Sequence, residues 1–309
     1  MKSRTLDRLW PYATLALLFI TLSLASPHFL TARNLGSVAR QTAVINIIAL
    51  GMTLVIVSGG IDLSVGALLG FCCILGADVL ARGMGIPLSL AAAAGCGLLW
   101  GAASGLLIVV LGITPFIVTL GMMGVIRGLT LVISRGLPVV NLPKSFASVG
   151  EGSVGPLPVP LLILAGAAIL MHLLLERTKL GRYAYAMGSN REAARYAGVP
   201  LNACTLGIYA ILGMLTGVAS MIETSRLMTG QPTAGEGYEL RAIAAVVIGG
   251  GSLSGGEGTV AGTLVGAFIM GLLANGANLL GVSSFWQQVL IGAVIIAAVG
   301  LDGWRKRRS

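Results

Sequence analysis

The chain has 309 residues, of which 56% are hydrophobic and only 10% charged, with a mean hydropathy of +0.92. Soluble domains are roughly half apolar and about a quarter charged, so this composition excludes a water-soluble fold and points to an all-α protein whose solvent is lipid. Twenty Lys and Arg against 11 Asp and Glu leave a charge of +9, but the basic residues gather at the two ends and in one central stretch. They lack the interleaved aromatics of a nucleic-acid face, which excludes nucleic acid as the partner.

Apolar stretches close to the ~20 residues that cross a hydrocarbon layer fall at 11–30, 38–58, 62–81, 87–111 and 114–134, and then at 157–175, 203–222, 240–254, 258–281 and 284–301. This predicts one membrane domain over 1–309, a polytopic bundle of about ten transmembrane helices. The stretch at 240–254 is short and ends in Gly249, Gly250 and Gly251, which leaves open a short helix, a re-entrant segment or half of a broken helix. An even number of crossings puts both basic termini on one side. Lys2, Arg4 and Arg8, then Arg177, Lys179, Arg182, Arg191 and Arg195, then Arg305, Lys306, Arg307 and Arg308 lie on that side, which the positive-inside rule makes the cytoplasm. The basic start followed by the apolar run from Ala13 to Ala25 also fits a secretory signal ending near Ser26; a first membrane crossing is the favoured reading.

Small residues recur four apart at Gly66 and Gly70, Gly97, Gly101 and Gly105, Gly213 and Gly217, and Gly262 and Gly266. That spacing lets helix backbones approach closely, and its presence on several stretches predicts packing within the subunit. Cys72, Cys73, Cys96 and Cys204 show no C-x-x-C or zinc spacing, and His28 and His172 stand alone, so no metal site is expected. None of the four lysines follows a glycine; the chain has no P-loop and is not its own ATPase. No hydrolase or metalloprotease motif stands out, so catalysis is not expected and transport or passive structure remain.

Asp62, Arg127 and Glu223 are ionisable groups at membrane depth, where charge is costly. Asp62, after Ser58-Gly-Gly and just before Leu63-Ser-Val-Gly, reads as a helix N-cap, with gating of a path as the other role; Ser64 goes with it. Arg127 is expected to pair with an acid or with helix-end carbonyls. Asn275 and Asn278 either line a path or bond between helices. The segment 178–198, within a loop of about 177–201, is polar and basic and is predicted to carry a short helix from Asn190 to Ala197. Asn190 caps it, Glu192 complements its dipole, and Gly198 and Pro200 stop it.

Glu192-Ala193-Ala194 followed by Gly198 resembles the EAA-x3-G core of the loop through which permeases of ATP-binding-cassette importers meet their ATPase; Val199-Pro-Leu-Asn follows it here in place of that motif's hydrophobic-Leu-Pro element. Gly51-Met-Thr-Leu-Val-Ile, Ser58-Gly-Gly-Ile-Asp-Leu-Ser-Val-Gly66, Gln231-Pro-Thr-Ala-Gly-Glu-Gly-Tyr-Glu-Leu240, Val247-Ile-Gly-Gly-Gly-Ser-Leu-Ser-Gly-Gly256 and Asn275-Gly-Ala-Asn-Leu-Leu-Gly-Val-Ser-Ser284 extend the likeness. Together they resemble the ribose-type sugar permease family over nearly the whole chain. The resemblance implies a type II fold like that of the vitamin B12 importer, a homodimer in the bacterial inner membrane, a periplasmic sugar-binding protein, and an ATP-binding subunit that alone carries ATP and magnesium, with no cofactor in this chain. It implies ATPase coupling through Gly181, Arg182, Gly188, Asn190, Glu192, Ala193, Ala194 and Gly198. The segments 135–158 and 224–238 then face the binding protein. The rival is an ion-coupled secondary sugar transporter, for which Asp62 is the titratable candidate.

Overall fold

Proline and glycine set where the helices stop. The computed structural model describes residues 2–306, and its helices run α1 (Lys2–Ala25), α2 (Ala32–Val57), α3 (Val65–Ala81), α4 (Ile86–Leu111), α5 (Pro115–Ser134), α6 (Ala147–Gly150), α7 (Val159–Arg177), α8 (Lys179–Ser189), α9 (Arg191–Tyr196), α10 (Leu201–Leu227), α11 (Tyr238–Ile248), α12 (Val260–Leu279) and α13 (Ser284–Lys306). α1 ends one residue before Ser26-Pro27, as the steric demand of proline on its predecessor requires. α4, α5 and α7 carry proline in their first turn, where its missing N–H costs nothing. The side chains of Thr31, Thr178 and Thr259 accept backbone N–H bonds in the first turns of α2, α8 and α12.

Each predicted apolar stretch overlaps one of these helices, with ends moved by up to six residues except that α1 begins nine earlier than expected. Six of them, α2, α4, α5, α7, α10 and α12, are long and apolar enough to cross a membrane, while α1, α3 and α13 hold shorter apolar runs. Of the basic residues counted at the termini, Arg307 and Arg308 lie outside the described residues. The outer faces of α4, α5 and α7 present Leu99, Val110, Ile117, Val132, Ile169 and Leu170 to the surroundings; apolar belts of this kind suit acyl chains and would aggregate in water.

α2 forms the axis of the bundle. Every residue from Thr42 to Val57 is buried, packed by α7, α8, α10, α11 and α12. α4 and α10 lie antiparallel with their backbones in contact. A methyl added at Gly97 would strike the Gly213 carbonyl, one at Gly213 would strike that of Gly97, and Gly101 and Gly217 meet Tyr209 and Ala93 the same way. The four-residue glycine spacing is thus spent inside the subunit, on α12 as well, where Gly262 and Gly266 abut Gly249 and Ala245. α1 closes on α12 through Leu22, Phe29 and Leu272, and Asn34 and Asn275 exchange two amide bonds of 3.1 and 2.8 Å.

The bundle has two ends. α8 and α9 mark one. At the other, 135–158 folds into a 3-10 turn, α6 and a two-stranded hairpin of β1 (Ser153–Val154) and β2 (Leu157–Pro158). The segment is tied down by Arg40 facing Glu151 at 3.6 Å and by Ser225, whose Oγ donates to the Phe146 carbonyl at 2.5 Å and accepts from the Gly150 N–H at 2.8 Å.

Replacing Gly213 with Val is expected to overpack the α4–α10 contact and cost about 1–3 kcal/mol or more, seen as a lost monodisperse peak after detergent extraction. Gly207→Val on the same helix, where nothing stands within 4 Å of the added carbon, is expected to extract normally.

Candidate functional site

Two stretches that cannot stay helical interrupt the interior. The first, 58–64, follows α2: Gly59 has φ +82, and the backbone stays out of helix until α3 begins. Asp62, 2% exposed, accepts from the Ser64 N–H at 2.7 Å and the Ser64 hydroxyl at 2.6 Å. This corrects the N-cap reading. Ser64 holds the cap position of α3 but its side chain makes no capping bond into the helix, and a carboxylate two residues upstream reaches only the i+2 amide, which makes a turn rather than a cap.

The second interruption is in two parts. After α10 the chain passes along α3 as a run of turns, 231–237, with Gly230 against Ala77 and Cys73, and Gly235 against Gly66 and Leu69. The eleven residues of α11 follow, and a glycine-rich loop at 249–259 leads to α12. Of the readings open for 240–254, the structure shows one short helix, preceded by turns and followed by that loop. Arg127, from α5, donates to the carbonyls of Pro232 at 2.7 Å and Ala234 at 3.2 Å. Its partners are loop carbonyls, which supply the acceptors expected of it without belonging to a helix end. An unpaired Arg at the centre of a membrane helix costs about 3 kcal/mol; two charge-assisted bonds at about 1.5–3 kcal/mol each offset that. Glu223 sits between Arg226 at 2.8 Å and the Tyr238 hydroxyl at 3.3 Å.

At the α8–α9 end, Gly181 is buried so closely on the end of α7 that an added methyl would meet the Leu174 and Leu175 carbonyls. Arg182 is exposed. The Asn190 side chain accepts the Ala193 N–H at 2.9 Å, so the predicted cap and the short helix stand, over Arg191–Tyr196. Ala194 is buried, while Arg191, Glu192, Ala193, Arg195 and Tyr196 project outward, Tyr196 87% exposed. Gly198, at φ +79 with open space around it, reverses the chain before Pro200. The polar reading of the loop missed α8 itself, whose Gly181, Ala184 and Met187 face inward at three-residue intervals. It also missed Tyr185, whose hydroxyl donates to the Gly258 carbonyl at 2.7 Å; burial, with the Glu176 carboxylate adding to it, raises that phenol's pKa.

Asp62 and Ser64 stand together, but Asn275 and Asn278 do not join them. Asn275 bonds Asn34 at the start of α2, Asn278 accepts from Gln287 at 2.7 Å, and the length of α2, about 39 Å at 1.5 Å per residue, separates the two groups. Interhelical bonding therefore accounts for both asparagines in this conformation. The segments 135–158 and 224–238 do meet, through the paired backbones of Val139 and Gly230 at 2.9 Å in each direction.

Residues 34–299 match the family model described as branched-chain amino acid transport system / permease component. The chain is 45% identical to the ribose import permease protein RbsC of Bacillus subtilis (strain 168), over 96% of this chain and 93% of that protein. It is 42% identical to the protein of the same name in Escherichia coli (strain K12), over 93% and 91%. It is 37% identical to the D-allose transport system permease protein AlsC of the same strain, over 91% and 86%. No solved structure matches the chain.

Arg127→Met is expected to lower the unfolding free energy in detergent by about 2 kcal/mol or more, because two buried carbonyls lose a charged donor, and to open 231–237 to protease. Wild-type stability and protection in this variant would show that the segment holds itself.

Proposed function

This chain belongs to the branched-chain amino acid transport system / permease component family, and from that membership we propose that it is the membrane-spanning permease of an ATP-driven importer whose cargo is a monosaccharide, ribose or a related sugar. The observation that carries the reading is the pairing of relatives whose names specify ribose and D-allose with an exposed, doubly stopped peg, α9, on a chain that has no phosphate-binding lysine of its own. ATP and magnesium then belong to a separate subunit that seats on α8 and α9. Glu192, Arg191, Arg195 and Tyr196 supply charge and an aromatic anchor, and Gly181, Arg182, Gly188, Asn190, Ala193, Ala194 and Gly198 set the loop's shape.

The bundle makes ten passes in this reading. They are α1 to α5, α7, α10, the segment 231–237 with α11, then α12 and α13, in a type II arrangement with both termini and α9 in the cytoplasm of the bacterial cell. The central basic residues Arg177, Lys179, Arg182, Arg191 and Arg195 support that orientation. At the opposite face the joined segments 135–158 and 224–238 receive a periplasmic sugar-binding protein, and two copies of the chain assemble around the path. Asp62 and Ser64 at one break, and Asn275 and Asn278 near the other end, are the polar side chains available to the path as the halves rock between inward and outward openings.

The test is purification of the tagged chain from native membranes, followed by sugar uptake in liposomes. A P-loop ATPase is expected to copurify, and uptake is expected to require ATP and the binding protein. Uptake by the chain alone along an ion gradient would establish the ion-coupled rival instead. Glu192→Lys is expected to reduce ATP-dependent uptake roughly tenfold, the upper range for a single coupling position, with the chain still extracted and folded as wild type.

A further inference from the structure

Three pieces of backbone that are distant in sequence cross at one point beside α8. A methyl placed on Gly188, the penultimate residue of α8, would strike the Val57 carbonyl at the end of α2 and stand 2.5 Å from the Gly256 nitrogen. A methyl on Gly255 would stand 2.8 Å from the Gly188 Cα and 3.0 Å from the Gly59 Cα. Real side chains do not occupy such spaces, so the three segments are in direct main-chain contact. They are also bonded: the Gly256 N–H donates to the Val57 carbonyl at 2.9 Å, and the Tyr185 hydroxyl, from α8, to the Gly258 carbonyl at 2.7 Å. Just below, Thr53 and Thr263 share a hydroxyl bond of 2.6 Å between α2 and α12.

The far side of the loop grips the same place. α10, which follows α9 almost at once, presses the Tyr209 hydroxyl against Gly60, leaving only 2.5 Å to a methyl there, and offers it to the Ile61 carbonyl at 3.4 Å. Both arms of the exposed loop therefore hold the break at 58–64, and one of them also holds the glycine loop at 249–259. These two interruptions separate α3 from α2, and α11 from α12, along the chain.

We propose that Gly188 is a joint that makes α8, the break at 58–64 and the loop at 249–259 move as one piece, so that a push on α9 reaches α3 and α11 together. This rests on the permease reading for what does the pushing. It follows from backbone contact, since packed main chains without intervening side chains have little room to slide and transmit displacement as interiors do.

The experiment introduces Ser189→Cys with Gly256→Cys in a chain whose four native cysteines are replaced by alanine, assembled with its ATPase in liposomes. A methyl at Gly256 lies 3.3 Å from the Ser189 Cβ, close to the ~3.5–4.5 Å that a disulfide spans. Copper(II) phenanthroline, two coppers each taking one electron and being reoxidised by oxygen, is expected to join the two thiols as a disulfide in every nucleotide state, with release of two protons. ATP-driven uptake is expected to continue within about twofold of the reduced protein, less than the change expected when a coupling contact is lost. Uptake that stops on oxidation and returns with dithiothreitol would overturn the joint, because α8 would then part from the loop in each cycle; so would failure to cross-link in a folded complex.

Gly188→Ala beside Gly166→Ala, where nothing lies within 4 Å of the new carbon, covers the case in which the cysteines unfold the chain. The first is expected to keep ATP hydrolysis and lose uptake roughly tenfold, the second to change neither; equal behaviour of the two refutes the proposal. Cross-link yield reads the joint whether or not sugar moves, whereas absence of import by the parent complex would fall on the permease reading alone.

Discussion

Helices in lipid gain nothing by hiding leucine from acyl chains, which are as apolar as leucine is, so what holds this bundle together is close approach of main chains. Glycine makes that approach, and the same constraint dictates where the chain dares to leave the helix. Unpaired amides and carbonyls are intolerable against hydrocarbon, and each interruption is enclosed by protein: 58–64 by Asp62, Thr119 and Tyr209, 231–237 by Arg127, and 249–259 by α8 and the end of α2. The polar residues that looked expensive in sequence are the ones that satisfy the broken backbone.

A division of labour follows. α4 and α10, locked by backbone contact, frame the buried α2, while α3 and α11 are short helices that each begin at a non-helical segment. A permease that alternates between two openings needs both kinds of part: one that stays and one whose ends are free to tilt. The interior offers a transported sugar mainly threonine and serine hydroxyls and few aromatic faces. Such a lining suits a path that passes a molecule already selected elsewhere, which accords with relatives that transport ribose in one case and D-allose in another.

Much of this was legible in the sequence because its punctuation is explicit. The apolar runs placed most helix ends within six residues, and Asn190 announced α9 through a bond only three residues long. What stayed hidden depends on distance along the chain. Asn275 finds its partner at Asn34, 241 positions away, and no periodicity could join Gly59, Gly188 and Gly255. α8 escaped for a different reason: its inward face is built of Gly181, Ala184 and Met187, too small and mixed to register as an apolar stripe among arginines and tyrosines. Asp62 misled because the sequence shows an acid before a helix without showing that two further residues are spent in the turn.

The burial of α2 has a consequence for how the protein comes into being. It emerges from the ribosome well before the helices that cover it, α7, α10, α11 and α12. Until they arrive, a segment destined for complete enclosure must rest in bare lipid with Asn46 and Thr53 turned toward acyl chains. Its own hydropathy of 1.7 over the most apolar window, lower than the 2.1 of the peripheral α5 and α7, makes it a less secure lodger than they are. Synthesis of this permease therefore passes through a long interval in which its future axis is its most vulnerable part.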